Sequence, residues 1–290
     1  MKKIIILIPV YNDWRSFLKV LDEIDQIIKD IKNFEFSCLI INDNSSIKRP
    51  VIVKPKNFKS IKIINMNANR GHARCNAFGL RYINLKMNHD YVIVMDSDGE
   101  DRPIEIKYLI DKIANFPEFS VVAKRIKRSE GPVFKFLYQI HKLLTIIFTG
   151  KKINFGNYSC LTKRDIKMLV DKASLWSSFS GSVKKNIINF NEVNSIRGLR
   201  YFGPSKMSLI NLVIHSFSII AVFKNLVFLR SCVIIILLSL FTKEFQFLVI
   251  STQISLVIFN LIIYIVSKRE NYQELLNSHK NLLNTEEVTH

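Results

Sequence analysis

Over the first hundred positions, apolar residues fall in short runs that alternate with helix-length stretches. Ile4 to Ile8, Ser37 to Ile41, Ile61 to Ile64 and Tyr91 to Met95 are rich in isoleucine and valine. Runs of this kind, bounded by polar turn formers, predict strands buried on both faces. Between them, Trp14 to Ile31 and Ala73 to Leu85 are long enough for helices. The alternation predicts an α/β domain with a mostly parallel sheet, and ligands of such sheets gather at the carboxyl ends of the strands. Asp13, Asp43 and Asp96 each lie just past such an end, which allows them to converge. Beyond about residue 120 the pattern loosens.

A second pattern occupies the C-terminal third. From Leu226 to Phe241 the only charge is Arg230, and from Phe245 to Val266 there is none. Each stretch approaches the roughly 20 apolar residues that a bilayer-spanning helix requires. Joined by Thr242-Lys243-Glu244, they predict an antiparallel hairpin with spans at about 225–242 and 245–266, in which Arg230 must snorkel or find a partner. A helical hairpin buried in a soluble protein is the alternative. Before the hairpin, Ser208, Asn211, His215 and Ser218 share one stripe of an otherwise apolar helix, which predicts a helix lying in the membrane interface. In the second span Gln246, Gln253 and Asn260 recur on one face and predict packing against the first span or a second copy of the chain. The expected organisation is a domain at 1–205, an interface helix at 206–224, the hairpin at 225–267 and a polar tail at 268–290.

Charge sharpens this picture. Lysine and arginine outnumber the acids 42 to 24, for a net charge of +18. Between Lys124 and Arg164 ten basic residues face a single acid, Glu130. Beside a membrane hairpin, such a surface attracts anionic lipid and phosphate-bearing substrates. No nucleic-acid partner is expected, because no recognised binding module accompanies the charge. Lys206, Lys224 and Arg230 precede the hairpin and Lys268 and Arg269 follow it, which predicts that the large N-terminal domain and both termini lie in the cytoplasm of an integral membrane protein, expected to be of the bacterial inner-membrane type. The apolar run after Met1-Lys2-Lys3 is short and lacks a small-residue cleavage site, so it reads as a strand rather than a signal peptide. Cys38, Cys75, Cys160 and Cys232 are scattered, which argues against zinc and against a disulfide framework.

Directly after the fourth apolar run comes Asp96-Ser97-Asp98-Gly99-Glu100-Asp101. Four carboxylates at a strand end suit a hard divalent cation, whose remaining positions are filled by water and substrate phosphate oxygens. The plainer reading is an acidic cap on the helix that Pro103 opens. An EF-hand is excluded, because its glycine belongs at the sixth loop position, occupied here by Asp101.

Four motifs stand in register with the predicted sheet: Ile8-Pro9-Val10-Tyr11-Asn12-Asp13, Asn42-Asp43-Asn44-Ser45, Asn69-Arg70-Gly71-His72 and Asp96-Ser97-Asp98. In order and spacing they resemble the nucleotide-sugar-binding half of family 2 glycosyltransferases with the GT-A fold. The resemblance extends through Phe155-Gly156-Asn157-Tyr158-Ser159 to Arg197, Arg200, Gly203, Ser205 and Lys206. With its two-span anchor the chain looks most like the membrane-bound synthases of polyprenyl-phosphate sugars, which include dolichyl-phosphate mannose synthases and bacterial polyprenyl-phosphate glucosyltransferases. That likeness implies that Pro9, Tyr11, Asp13, Asp43, Asn69, Gly71, Asp96 and Asp98 bind the nucleotide sugar, and that Asp96, Asp98 and Glu100 hold Mg2+ or Mn2+. It also implies that Arg125, Arg197, Arg200, Ser205 and Lys206 grip the acceptor phosphate, with Asp96, Asp98, Arg125, Arg200 and Lys206 as the catalytic set. The chain departs from the family pattern at Glu100, where glutamine is usual, at Asn42 and Asn44 in the nucleobase motif, and at Asp13, where glutamate is commoner. Asn44 suits a left-handed backbone better than most residues that could replace glycine.

The reaction implied is metal-dependent, inverting transfer of a hexose from a donor of the UDP-glucose or GDP-mannose type to a polyprenyl phosphate at the cytoplasmic membrane face. The sequence lacks a Gln-x-x-Arg-Trp motif and has no Glu-Asp pair between 165 and 200. That favours a phosphate acceptor, already an anion, over an alcohol that needs a general base. Two alternatives stand beside it: transfer to a lipid-linked saccharide or other hydroxyl in cell-envelope glycan synthesis, and a catalytically inactive membrane scaffold. His72 and His141 receive no role.

Overall fold

A computed structural model describes residues 1–127, 132–205, 207–240 and 246–289. Strands β1 (Lys2–Val10), β2 (Phe34–Asn42), β3 (Phe58–Met66), β4 (Tyr91–Val94), β5 (Val121–Lys127), β6 (Phe155–Thr162), β7 (Asn191–Ile196) and β8 (Leu282–Val288) form one sheet in the order β7-β5-β6-β4-β1-β2-β3-β8. All run the same way except β6 and β8, which are antiparallel to their neighbours. The helices are α1 (Trp14–Ile28), α2 (His72–Lys86), α3 (Ile106–Asn115), α4 (Pro132–Thr149), α5 (Lys163–Leu169), α6 (Ala173–Ser177), α7 (Phe179–Asn186), α8 (Leu209–Ala221), α9 (Lys224–Ser239), α10 (Gln246–Ser267) and α11 (Tyr272–Leu276).

The continuous apolar run of β1 is explained by burial on both sides. Ile4, Ile6 and Ile8 pack with Phe17, Leu21 and Ile24 of α1. Ile5 and Leu7, on the opposite pleat, pack with Phe78, Leu80 and Ile83 of α2. The four strands and two helices expected from the pattern are all present; β1, β2, β3 and α2 extend beyond the expected bounds, while α1 ends at Ile28 and β4 at Val94, short of the expected Ile31 and Met95.

The segment expected as a polar tail is instead structured. Residues 282–288 return to the sheet as β8, antiparallel to β3, with Asn284 opposite Asn65 and Glu286 opposite Ile63. This strand sits at a sheet edge and is mostly exposed, so no apolar alternation marks it; backbone pairing holds it. β7 is likewise an edge strand with a largely polar sequence.

Among the described residues α10 alone is long and apolar enough to cross a membrane: its 22 residues reach about 33 Å. α9 has 16 residues, about 24 Å, and meets α8 at an 84° bend. The expected link Thr242-Lys243-Glu244 lies outside the described residues. Gln253 joins α10 to α9, its amide donating to Ile235 O at 3.2 Å and Ser239 Oγ at 2.9 Å. Asn260, expected on the same packing face, instead donates to Leu256 O of its own helix.

Arg230 finds its partner in α4, a helix the sequence pattern had not revealed. Its guanidinium donates to Ile147 O at 2.8 Å and Ile146 O at 3.3 Å in the last turn of α4, where Ile146 O also accepts the Gly150 N–H at 2.9 Å. Gly150 closes that helix with φ 66°, and a Cβ there would stand 2.4 Å from the guanidinium.

Candidate active site

Six strands direct their carboxyl ends to one edge of the sheet, and the acidic segment lies at the end of the central one, β4. It folds as a hook: Asp101 accepts the Asp96 N–H at 3.0 Å, and Asp98 accepts the Glu100 N–H at 2.9 Å. Gly99 has φ 88°, and a Cβ there would press within 2.7 Å of the Tyr201 ring. The helix-cap reading fails, because the 3-10 turn at Pro103–Glu105 and α3 begin without a side-chain cap.

The carboxylates meet basic groups from three distant stretches and an amide from a fourth. His72 Nε2, at the start of α2, stands 2.8 Å from Asp96 Oδ1, and the Asn157 amide of β6 reaches the same oxygen at 3.3 Å. Arg200 bridges two acids, donating to Asp98 at 2.6 Å and to Asp13. Arg197 pairs with Glu100. Arg125, at the end of β5, approaches Asp101 at 3.9 Å. Its guanidinium runs over Gly156, where a Cβ would come within 2.4 Å.

Arg197 and Arg200 belong to a strap that leaves β7 and crosses the hook. Glu105 anchors its start by accepting from Ser195 Oγ at 2.6 Å and Ile196 N at 2.9 Å. Further along, Gly198 N–H donates to Glu100 O and Tyr201 N–H to Asp98 O, at 2.8 and 2.9 Å. Gly198 is required by proximity, since a Cβ would lie 2.7 Å from Gly99 O. Lys19 of α1 covers the Tyr201 ring at 4.2 Å.

Burial pushes Glu100 and Asp101 up to about 7 each, and the neighbouring aspartates add to the rise. Asp98 is raised by the same two causes. Asp96 goes the other way: burial opposes its charge, but His72, then Arg197 and Arg125, hold its carboxyl well below the usual range. Burial likewise disfavours the His72 imidazolium, and Asp96 more than offsets it, so its pKa is raised. The cluster is short of positive charge.

Hard oxygen donors in a site with that deficit fit a divalent cation. The expected trio is not assembled as a cage, however. Asp98 and Glu100 are engaged by guanidinium groups and Asp96 by His72, and among the described residues no three acidic, histidine or cysteine side chains are grouped to hold a metal.

Of the expected nucleotide contacts, Asp43 is buried and both its oxygens take backbone donors, Arg70 N at 2.7 Å and Gly71 N at 2.9 Å. It therefore ties the end of β2 to the loop entering α2, where Gly71 has φ 87°. Asn44 has the left-handed backbone expected, φ 55°. Pro9 is buried within β1, while Tyr11 and Asn69 lie exposed at the strand ends. Ser205 is exposed and accepts the Met207 N–H, with no contact to the cluster among the described residues. Lys206 lies outside the described residues. The sequence pattern gives no role to His72, although it closes the Asn-Arg-Gly-His motif, and none to Asn157, and it counts Asp101 only among the four carboxylates suited to a metal.

A mostly parallel sheet with an acidic hook after its central strand, flanked by an antiparallel strand that supplies Asn157, defines the GT-A fold. The sequence profile of glycosyl transferase family 2 matches residues 5–179, and the chain belongs to that family. Curated relatives include the undecaprenyl-phosphate 4-deoxy-4-formamido-L-arabinose transferase of Photorhabdus laumondii, 23% identical over 73% of this chain and 65% of that protein. The protein of the same name from Salmonella choleraesuis is 26% identical over 73% of this chain and 64% of its own length. The matched region thus spans less than two thirds of either relative. Among solved structures, glucosyl-3-phosphoglycerate synthase from Mycobacterium tuberculosis, in complex with Mn2+, UDP-glucose and phosphoglyceric acid, superposes with a TM-score of 0.52. It is 14% identical, with 78% of this chain and 80% of that one covered, a likeness of fold.

Proposed function

We propose that this chain transfers a hexose from a nucleotide diphosphate to a polyprenyl phosphate, with inversion at the anomeric carbon. The observation that carries the reading is the meeting of the acidic hook with Arg125, Arg197 and Arg200 at a sheet edge flanked by apolar helices. α8 packs against α7 of the domain and against α4, α9 and α10. The relatives' names support a polyprenyl-phosphate acceptor, and the mycobacterial complex supports a donor of the UDP-glucose type and a divalent metal.

In this reading Pro9, Tyr11, Asp43, Asn69 and Gly71 frame the nucleoside, while Asp13 and Asp96 orient the ribose. Asp96, Asp98 and Glu100 would hold Mg2+ or Mn2+, which as a Lewis acid stabilises the departing diphosphate. Arg200 and Arg197 exchange their acid partners for phosphate, a bidentate recognition that guanidinium groups suit. Together with Arg125, Ser205 and Lys206 they orient the lipid phosphate, whose oxygen attacks C1 as the bond from C1 to the diphosphate oxygen breaks. The acceptor is already an anion, so no proton is moved.

For the membrane, α10 and α9 form the anchor, α8 lies flat at the 84° bend, and the catalytic domain faces the cytoplasm. The return of β8 to the sheet supports this arrangement, because the chain must come back to the side it left.

The test offers full-length protein undecaprenyl phosphate with labelled UDP-glucose or GDP-mannose and Mg2+ or Mn2+, followed by product mass analysis. A lipid-linked sugar monophosphate is expected, with release of the nucleoside diphosphate. The Glu100 carboxyl near 7 lies in the range of a general base and favours a second reading, an alcohol acceptor. Sugar found on a lipid-linked saccharide instead of the phosphate would establish that one, and protein that binds no nucleotide at all would point to a scaffold.

A further inference from the structure

Two loops rise from the carboxyl ends of β2 and β3, one carrying Asp43 to Ser46 and the other Asn67 to Gly71. Both are held from below by the segment that follows the apolar helices. Asn42 Oδ1 accepts the Ser45 N–H at 3.0 Å, and its amide donates to Asn65 Oδ1 at 2.8 Å. The Asn65 amide in turn donates to Glu286 and Asn284, each at 2.6 Å. The second oxygen of Glu286 pairs with Arg49, farther along the first loop. A side-chain amide engaged at both its oxygen and its nitrogen cannot flip, so Glu286 fixes Asn65, Asn65 fixes Asn42, and Asn42 fixes the turn at Ser45.

The second loop is tied to the same segment. Asn281 accepts Arg70 Nη2 at 2.6 Å through its side chain and the Asn67 N–H at 2.8 Å through its carbonyl. Between the two loops lies Asp43, which receives the N–H groups of Arg70 and Gly71. Residues 281–286 therefore set the spacing of both walls around Asp43. α11 links this segment to the body of the domain: Glu274 accepts the Trp176 indole N–H at 2.8 Å and lies 3.8 Å from Arg74 of α2.

We propose that the C-terminal strand β8 and the turn before it form the supporting half of the donor's nucleoside subsite, with Glu286 and Asn281 as positioning residues that set which base is accepted. The inference rests on the donor reading above. The diphosphate and metal would meet the hook on β4, which β8 does not touch, so the strand acts on base selectivity and leaves the charge clamp alone. It also connects the donor site to the exit of α10 from the membrane.

The test measures binding of UDP, GDP, CDP and inorganic pyrophosphate, each with Mn2+, to the full-length protein in detergent. Pyrophosphate reports the hook without a base. Wild-type protein is expected to prefer one nucleoside diphosphate, and Asn281→Ala combined with Glu286→Ala to reduce that preference roughly tenfold while pyrophosphate binds unchanged. Glu286→Gln, which still accepts the Asn65 amide, should retain most of the preference. A preference that survives the double substitution overturns the proposal, and so does an equal loss for pyrophosphate and nucleotide, which marks a general effect on the fold. If wild-type protein binds no nucleotide, the donor reading itself fails and takes this one with it.

Discussion

His72 and Asp96 form a partly buried ion pair, 2.8 Å from Nε2 to Oδ1, between the first turn of α2 and the end of β4. Among the four acids of the hook, Asp96 is the one held firmly charged, and His72 is the chief cause. Replacing His72 with asparagine is expected to lower kcat/KM about tenfold, or ~1.4 kcal/mol, and to move the acid limb of the rate profile to higher pH. Steady-state kinetics across pH check both; an unchanged acid limb would separate Asp96 from that limb.

Arg200 sits on two carboxylates, Asp13 and Asp98, that the donor and its metal are proposed to use. Arg200→Ala should tighten Mn2+ binding to the nucleotide-free protein, because a competing cation is gone, and cut turnover roughly a hundredfold, because the diphosphate loses a donor. Electron paramagnetic resonance of free Mn2+ reads the first effect. Weaker Mn2+ binding would mean that Arg200 supports the ligands instead of competing with the ion.

Glu100 is the hook's departure from the family pattern. Glutamine at this position removes a carboxyl that burial has raised to about 7 and still offers an oxygen donor. Glu100→Gln is expected to retain or improve activity, whereas Asp98→Ala should abolish metal-dependent nucleotide binding. Complete loss in Glu100→Gln, measured in the same transfer assay, would assign the carboxylate a task of its own, such as proton removal from an alcohol acceptor.

Stability of the metal-free protein should fall as pH rises through about 7. Glu100 and Asp101 have folded-state values near 7, above those of an unfolded chain, so the native state binds the extra protons at lower pH and loses that advantage as both groups ionise. His72, also raised, contributes in the same direction: its share is present below its unfolded value and lost as pH rises through the folded one. Mn2+ should reverse the trend, since its affinity grows as the carboxyls ionise. Thermal unfolding between pH 5.5 and 8, with and without Mn2+, is the measurement, and a Tm that rises with pH in the absence of metal would contradict it.

Arg230 caps α4 from within an apolar helix. Arg230→Ala should destabilise the protein in detergent by about 1–3 kcal/mol, because it leaves the Ile147 carbonyl without its donor. Gly150→Ala should cost about 1 kcal/mol for its positive φ alone, with crowding of the guanidinium added. Thermal unfolding of both variants checks this; wild-type stability in Arg230→Ala would show that the cap contributes nothing.

Much of the central sheet was legible because its signal is local. β1 and β4 are buried on both faces and read as unbroken apolar runs, β2 and β3 carry shorter apolar runs at their carboxyl halves, and α1 and α2 fill intervals between them. The hook could be placed at a strand end, and the left-handed backbone at Asn44 followed from what asparagine tolerates. The apolar character of α10 was equally plain. What remained hidden depends on partners remote in the chain. β7 and β8 are exposed edge strands whose pairing is made by backbone groups common to every residue, so their side chains carry no periodic mark. Arg200 lies 187 positions from Asp13 and 102 from Asp98, and composition alone cannot say whether such a guanidinium faces solvent, lipid phosphate or acid. The sequence by itself determined which segments had to be buried and where carboxylates would collect, because burial follows from each segment's own polarity. Only the tertiary structure decided which charges meet, because an ion pair depends on distance, and folding sets the distance.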